Sequence, residues 1–198
     1  MDIVGDVKGL RVLDAGCGDG LVARLLASRG AEVCAVDISA PLVELGRAKD
    51  PYHSIDYRVH DLSGPLPDLE KSFDLVVSHF VLNDVPDYAG FVRTLSAVCR
   101  GGGRAIFSIN NPYSAVLREK ATGYFATGES VIYQGLAQKG VEVYYYHRTM
   151  EEYIEVFRKY GFLLRSLKDI NPDPDALNRD RWKTIPFLMV LEFVKAVG

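Results

Sequence analysis

The sequence predicts an α/β fold: a doubly wound, mostly parallel sheet of seven strands with helices on both faces. Three observations predict it. Apolar runs of strand length alternate with helical patterns along most of the chain. The runs are continuous rather than alternating in polarity, as strands covered on both faces are. The first run ends directly in a glycine-rich turn that opens onto a helix. Folds of this kind bind ligands beyond the carboxyl ends of their strands.

The elements follow in order. LRVLDAG (10–16) reads as the first strand, and a helical stretch from about Leu21 to Ser28 follows it. AEVCAVD (31–37) is the second strand. Ser39 then caps a helix carrying Pro41 in its first turn, where proline is tolerated. SIDYRVH (54–60) is a weaker third strand and FDLVVS (73–78) a fourth. Phe91, Leu95 and Val98 recur at helical spacing through 87–99, and the glycines at 101–103 are expected to stop that helix. GRAIFSI (103–109) is the fifth strand. Thr149 and Glu152 form a capping-box pattern ahead of Met150, Tyr153, Ile154 and Phe157. FLLRSLKDI (162–170) and PFLMVLEFV (186–194) complete the seven.

Composition bounds the function. The 198 residues suit one domain, and a net charge of −3 argues against electrostatic capture of nucleic acid or an anionic membrane. Cys17, Cys34 and Cys99 are far apart and show neither disulfide nor metal spacing, so reduced thiols in a cytoplasmic protein are expected. No Asp/Glu/His cluster has metal-ligand spacing. No apolar run reaches membrane-spanning length, and Met1-Asp2 does not begin a secretion signal.

VLDAGCGDG (12–20) carries the most chemistry. Its glycines remove side chains where a ligand would meet backbone, and the helix that follows offers unpaired N–H groups. A dinucleotide site would want G-x-G-x-x-G, but the third glycine position is Leu21. Asp14, just before the loop, would repel a pyrophosphate and favour an ammonium or sulfonium group. A nicotinamide cofactor is therefore disfavoured.

On these residues the chain resembles the class I S-adenosylmethionine-dependent methyltransferases of the UbiE-like small-molecule type. The resemblance continues through Asp37, the HDL at 60–62, FDLVVSHFVLNDVPD and GGGRAIFSI. It implies a Rossmann-like single domain over 1–198, with S-adenosylmethionine as cofactor and a methyl transfer to O, N or C of a small acceptor. It also implies a cofactor site built from Asp14, Gly16, Cys17 and Gly18, with Asp37 on the ribose hydroxyls and Ile38 on the adenine face. Asp61 and Leu62 would read the adenine edge. Ser78 and His79 would face the methionine part, and His79 is also a candidate base. The bland alternatives are a capping Asp37, a turn Asp61 and a structural His79.

Residues 110–148 exceed an ordinary connection and are expected to form an insertion over the acceptor. VIYQGL (131–136) and VEVYYYH (141–147) would pair as a hairpin around 137–140. Tyr113, Tyr133, Tyr144, Tyr146 and His147 are the candidate acceptor residues, with His147 as a further candidate base; the alternative is that they merely pack a hairpin onto the sheet. Arg179, Asp180, Arg181 and Trp182 border the pocket or form a solvated loop. Asn110-Asn111-Pro112-Tyr113 superficially matches an amino-group methylation motif, but it follows the fifth strand rather than the fourth. Relatives often carry a helical lid before the first strand, whereas nine residues precede Leu10 here. Either the lid is missing, another chain supplies it, or the 110–148 insertion does that work. RNA or protein methylation, a non-catalytic partner subunit and a nicotinamide oxidoreductase are the rival functions, and a homodimer is one assembly left open.

Overall fold

In a computed structural model, the described residues are 3–66, 68–115, 122–128, 130–132, 144–170 and 186–197. Nine strands and five helices are assigned among them. In chain order these are β1 (Arg11–Ala15), α1 (Leu21–Ala27), β2 (Glu32–Asp37), α2 (Ala40–Ala48), β3 (Ile55–Val59), β4 (Phe73–His79) and α3 (Tyr88–Val98). Then come β5 (Cys99–Asn110), the short α4 (Pro112–Ala115), β6 (Ser130–Ile132), β7 (Tyr144–Tyr146), α5 (Met150–Lys159), β8 (Phe162–Ile170) and β9 (Leu188–Lys195). No described helix is long and apolar enough to cross a membrane.

Seven strands form one sheet in the order β3-β2-β1-β4-β5-β9-β8. The first five are parallel, and β9 runs antiparallel between β5 and β8. Strand order reverses between β1 and β4, which opens a crevice at their carboxyl ends. The doubly wound sheet expected from the sequence is the one observed.

Successive strand residues point to opposite faces, so each face has its own core. Leu13, Ala15, Val76 and Phe107 pack with Phe91 and Leu95 of α3 and with Tyr153 and Phe157 of α5. Val12, Ala35, Leu75 and Val77 pack with Ala23 and Leu26 of α1 and Val43 of α2. This placement of helices on both faces explains the unbroken apolar runs.

Two local expectations are corrected. The glycines at 101–103 do not stop a helix: α3 ends at Val98, because Cys99 is already extended (φ −76°, ψ 129°) and pairs with Phe73. The glycines lie inside β5, where the register jumps from Phe73↔Cys99 to Leu75↔Arg104. Ser39 sits at the N-cap of α2, but its side chain makes no capping bond. Its backbone N–H instead donates to Asp37 at 2.8 Å. The capping box of α5 forms as expected, Glu152 N–H donating to Thr149 Oγ1 and Thr149 N–H to Glu152.

Between β5 and α5, β6 and β7 pair as a separate two-stranded antiparallel sheet, with Val131 opposite Tyr145. The expected turn at 137–140 lies outside the described residues, as do Tyr133, Trp182 and residues 179–181.

Candidate functional site

A cavity of about 450 Å³ opens at the strand-order reversal, between the loops that follow β1, β2, β3 and β4. The β1 loop reaches it through Gly16, whose φ is +77°. A Cβ there would overlap the Val81 side chain from across the cavity, so the position needs glycine for both shape and close approach. Gly18 is also left-handed (φ +54°), and nothing lies within 4 Å of where its Cβ would be. The loop therefore presents open backbone beside the cavity.

Asp37 ends β2 at the cavity edge. One carboxylate oxygen accepts from Gly18 N–H and the other from Ser39 N–H, each at 2.8 Å. Both oxygens keep a further lone pair for a ligand. Ile38 beside it is 69% exposed and forms an apolar surface of the cavity. Asp61 and Leu62 follow β3 and line the same space, as do His60 and Ser63. Asp61 accepts from Ser63 N–H at 2.9 Å, so its turn geometry and its place at the cavity coexist.

His79, at the end of β4, lines the cavity and shares a hydrogen bond between its Nδ1 and Ser108 Oγ. Burial holds its pKa below the usual imidazole value, which keeps the ring neutral and proton-accepting near pH 7. Phe80 follows with a φ of +61°, a strained value for a non-glycine residue that costs on the order of 1–3 kcal/mol. Val81, Asp84, Val85 and Pro86 continue this wall, and Phe91 of α3 closes it.

Other expected residues are placed elsewhere. Ser78 is buried and donates to the Ala15 carbonyl at 2.8 Å, joining β1 to β4 rather than facing the cavity. The Cys17 thiol is also buried, and burial raises its pKa. Asp14 is inside the protein beneath the glycine loop, and its Oδ2 has no hydrogen-bond partner among the described residues. Burial lifts its pKa to about 7; the Ala23 backbone N–H opposes the shift, and the Asp37 charge adds to it. Asp14 thus lies on β1 just before the glycine loop, as the sequence places it, but buried rather than exposed to the cavity.

Tyr113, Tyr144, Tyr146 and His147 do not line this cavity. Tyr113 stacks on Tyr124 at 5.3 Å. Tyr146 N–H donates to the Asn83 carbonyl at 2.7 Å. His147 is 1% exposed, with Nε2 bonded to the Tyr124 carbonyl at 2.8 Å and Nδ1 without a partner among the described residues. The Asn111 side chain bonds Asp169 and Tyr113 N–H, which gives the Asn-Asn-Pro-Tyr segment a structural use.

The sequence reading missed the wall at 80–86 and its supports. These act through backbone shape, which residue type does not announce. FDLVVSHFVLNDVPD carried the resemblance through this segment, with an apolar strand continuing into Phe80-Val81-Leu82, but no residue of the wall was given a role.

Comparison with known proteins agrees with this architecture. Residues 13–107 match the family described as "Methyltransferase domain". A ubiquinone biosynthesis O-methyltransferase of Methylocella silvestris is 44% identical over 99 residues, covering 49% of this chain and 38% of that protein. The chain thus spans well under half the length of that curated relative. The crystal structure of an S-adenosylmethionine-dependent methyltransferase from Mesorhizobium loti superposes with a TM-score of 0.79 at 25% identity, over 98% of this chain and 94% of that one. That of a putative S-adenosylmethionine-dependent methyltransferase from Listeria monocytogenes gives 0.81 at 22% identity, over 98% and 93%.

Proposed function

Because the chain carries a methyltransferase domain in the fold of the S-adenosylmethionine-dependent methyltransferases, we propose that it binds S-adenosylmethionine in this cavity and methylates a small acceptor. The observation that carries the reading is the Asp37 carboxylate, locked by two backbone N–H groups at the rim of an open glycine loop. Its remaining lone pairs suit vicinal ribose hydroxyls. Ile38 supplies a face for a purine, and Asp61 with the Leu62 backbone supplies acceptor and donor for its edge.

The cofactor brings a methyl group already activated by the sulfonium charge. The protein's task is then to align and desolvate the reactants for in-line displacement, an effect worth roughly 7–11 kcal/mol in favourable cases. His79 and Phe80 stand where the β4 wall meets the glycine loop, and this is the place assigned to the reacting end. His79, neutral and oriented by Ser108, takes the acceptor's proton where the acceptor must lose one. His147 is set back from the cavity, and its part is to hold the aromatic insertion through Tyr124. Tyr113, Tyr144 and Tyr146 belong to that insertion, which we assign to the acceptor side. A single domain acting in the cytoplasm on a small molecule, alone or as a homodimer, is the corresponding whole-protein reading.

Calorimetric titration with S-adenosylhomocysteine and with NADH tests the proposal. Binding of the first and not of the second is expected. The reverse result, or no binding of the first at millimolar concentration, rejects it. A mass-spectrometric screen for metabolites gaining one methyl then identifies the acceptor.

A further inference from the structure

The cavity wall formed by residues 80–87 has no regular secondary structure, yet it carries a strained backbone at Phe80 and packs Val81 down onto Gly16. We propose that Arg148, which lies outside the cavity, is a positioning residue whose guanidinium clamps this wall against the glycine loop. The proposal rests on the nucleoside reading of the cavity for its functional meaning and on the contacts below for its geometry.

Arg148 is buried just before Thr149, the N-cap of α5. Nη1 donates to the Leu82 carbonyl at 2.6 Å, and Nη2 donates to the carbonyls of Val85 (2.6 Å) and Pro86 (3.2 Å). The guanidinium plane lies over the Tyr88 ring at 4.1 Å, with the Tyr146 ring 5.6 Å away. Among the described residues it makes no ion pair. A buried cation without a carboxylate is expensive to keep, and both of its Nη groups donate to carbonyls of one short segment. A planar fork can span carbonyls three and four residues apart in a way an ammonium cannot.

The neighbouring contacts act in the same direction. Asn83, fully buried, donates to Tyr153 Oη at 2.9 Å and accepts from Asn110 N–H at 3.0 Å. Its carbonyl accepts from Tyr146. The segment is thus pinned by α5, β5 and β7, with Arg148 contributing three of the bonds. Release of those bonds frees Phe80 to leave its left-handed conformation and Val81 to lift from Gly16. The wall and the glycine loop would then no longer meet at a fixed separation.

Hydrogen exchange on the ligand-free protein, combined with S-adenosylhomocysteine calorimetry, tests the clamp in R148K and R148M. Lysine keeps the charge without the fork, and methionine keeps the volume without either. We expect faster exchange confined to peptides covering 80–87 in both variants, with wild-type protection in β1, β2 and β9. We also expect affinity for S-adenosylhomocysteine to fall roughly tenfold or more. Unchanged exchange at 80–87 overturns the proposal, as does undiminished affinity with a loosened wall. Exchange that rises across the whole sheet, or failure of both variants to fold, makes Arg148 a general fold residue and also overturns it. If the wild type does not bind the nucleoside, the proposed function fails on that measurement, while the exchange comparison still decides the clamp.

Discussion

Asp37 shows how one carboxylate serves the protein and a ligand together. Its oxygens each accept a backbone N–H, one from the glycine loop and one from the N-cap of α2. Hydrogen bonds to a charged group contribute about 1.5–3 kcal/mol each. Asp37→Ala should therefore weaken S-adenosylhomocysteine binding by at least about tenfold while the protein remains folded; calorimetry of the variant checks this, and unchanged affinity would remove Asp37 from the site. Asp14 makes a separate prediction about pH. Its ordinary pKa of 3.8 rises to about 7 in the folded protein, chiefly through burial. Between those values the folded chain holds a proton that the unfolded chain has lost, so stability falls as pH climbs from about 4 to about 7 and levels off above. The full span is worth at most about 4 kcal/mol. In Asp14→Asn the melting temperature should fall less steeply across that window, with the gap from wild type widest near pH 8; parallel curves would contradict it. The sequence places both aspartates on strand ends but does not distinguish them. Depth is set by α1 packing over Asp14, a tertiary fact that strand pattern does not contain.

At the level of elements, legibility followed the strength of the local signal. The α5 start was plain in Thr149-x-x-Glu152 because a capping box is a contact between residues three apart, and both bonds form. Thr149→Ala should cost about 1 kcal/mol, read as a lowered denaturation midpoint at unchanged slope. A larger loss accompanied by faster exchange at 80–87 would mean that the cap also holds Arg148 in place. The glycines at 101–103 misled for a physical reason. Glycine after a helical pattern marks a C-terminus, but the same freedom lets β5 absorb extra residues opposite Phe73 and Leu75. The cavity wall at 80–86 was the least legible part. Its place depends on carbonyls held by an arginine more than sixty residues away in the chain.

The whole molecule was legible in its alternation and its continuous apolar strands, since a sheet covered on both faces demands them. The position of β9 was not. Its run PFLMVLEFV names a buried strand but does not say that it enters between β5 and β8, and Glu192 in the middle of it reads as an interruption. In the fold that glutamate ties β9 to both of its neighbouring strands. Glu192 is buried where β9 lies between its neighbours; it bonds Arg104 of β5 at 2.8 Å and Ser166 of β8 at 3.1 Å, with Arg165 at 3.5 Å. Arg104 also donates to the carbonyls of Ile3 and Val4, each at 3.0 Å, so one guanidinium joins the central sheet to the start of the chain. Removing one partner of a buried pair strands the other charge, and here the remaining Arg165 contact is longer and more exposed. Arg104→Leu should thus destabilise the protein by about 3 kcal/mol, the low end for such a break because Arg104 is itself partly exposed. Exchange should also accelerate at residues 3–7 and along β9 while the glycine loop keeps its protection, and affinity for S-adenosylhomocysteine should stay within about twofold. A variant that loses nucleoside binding with its stability intact would show that this remote cluster reaches the site, and the separation of sheet anchor from cavity wall drawn here would be wrong.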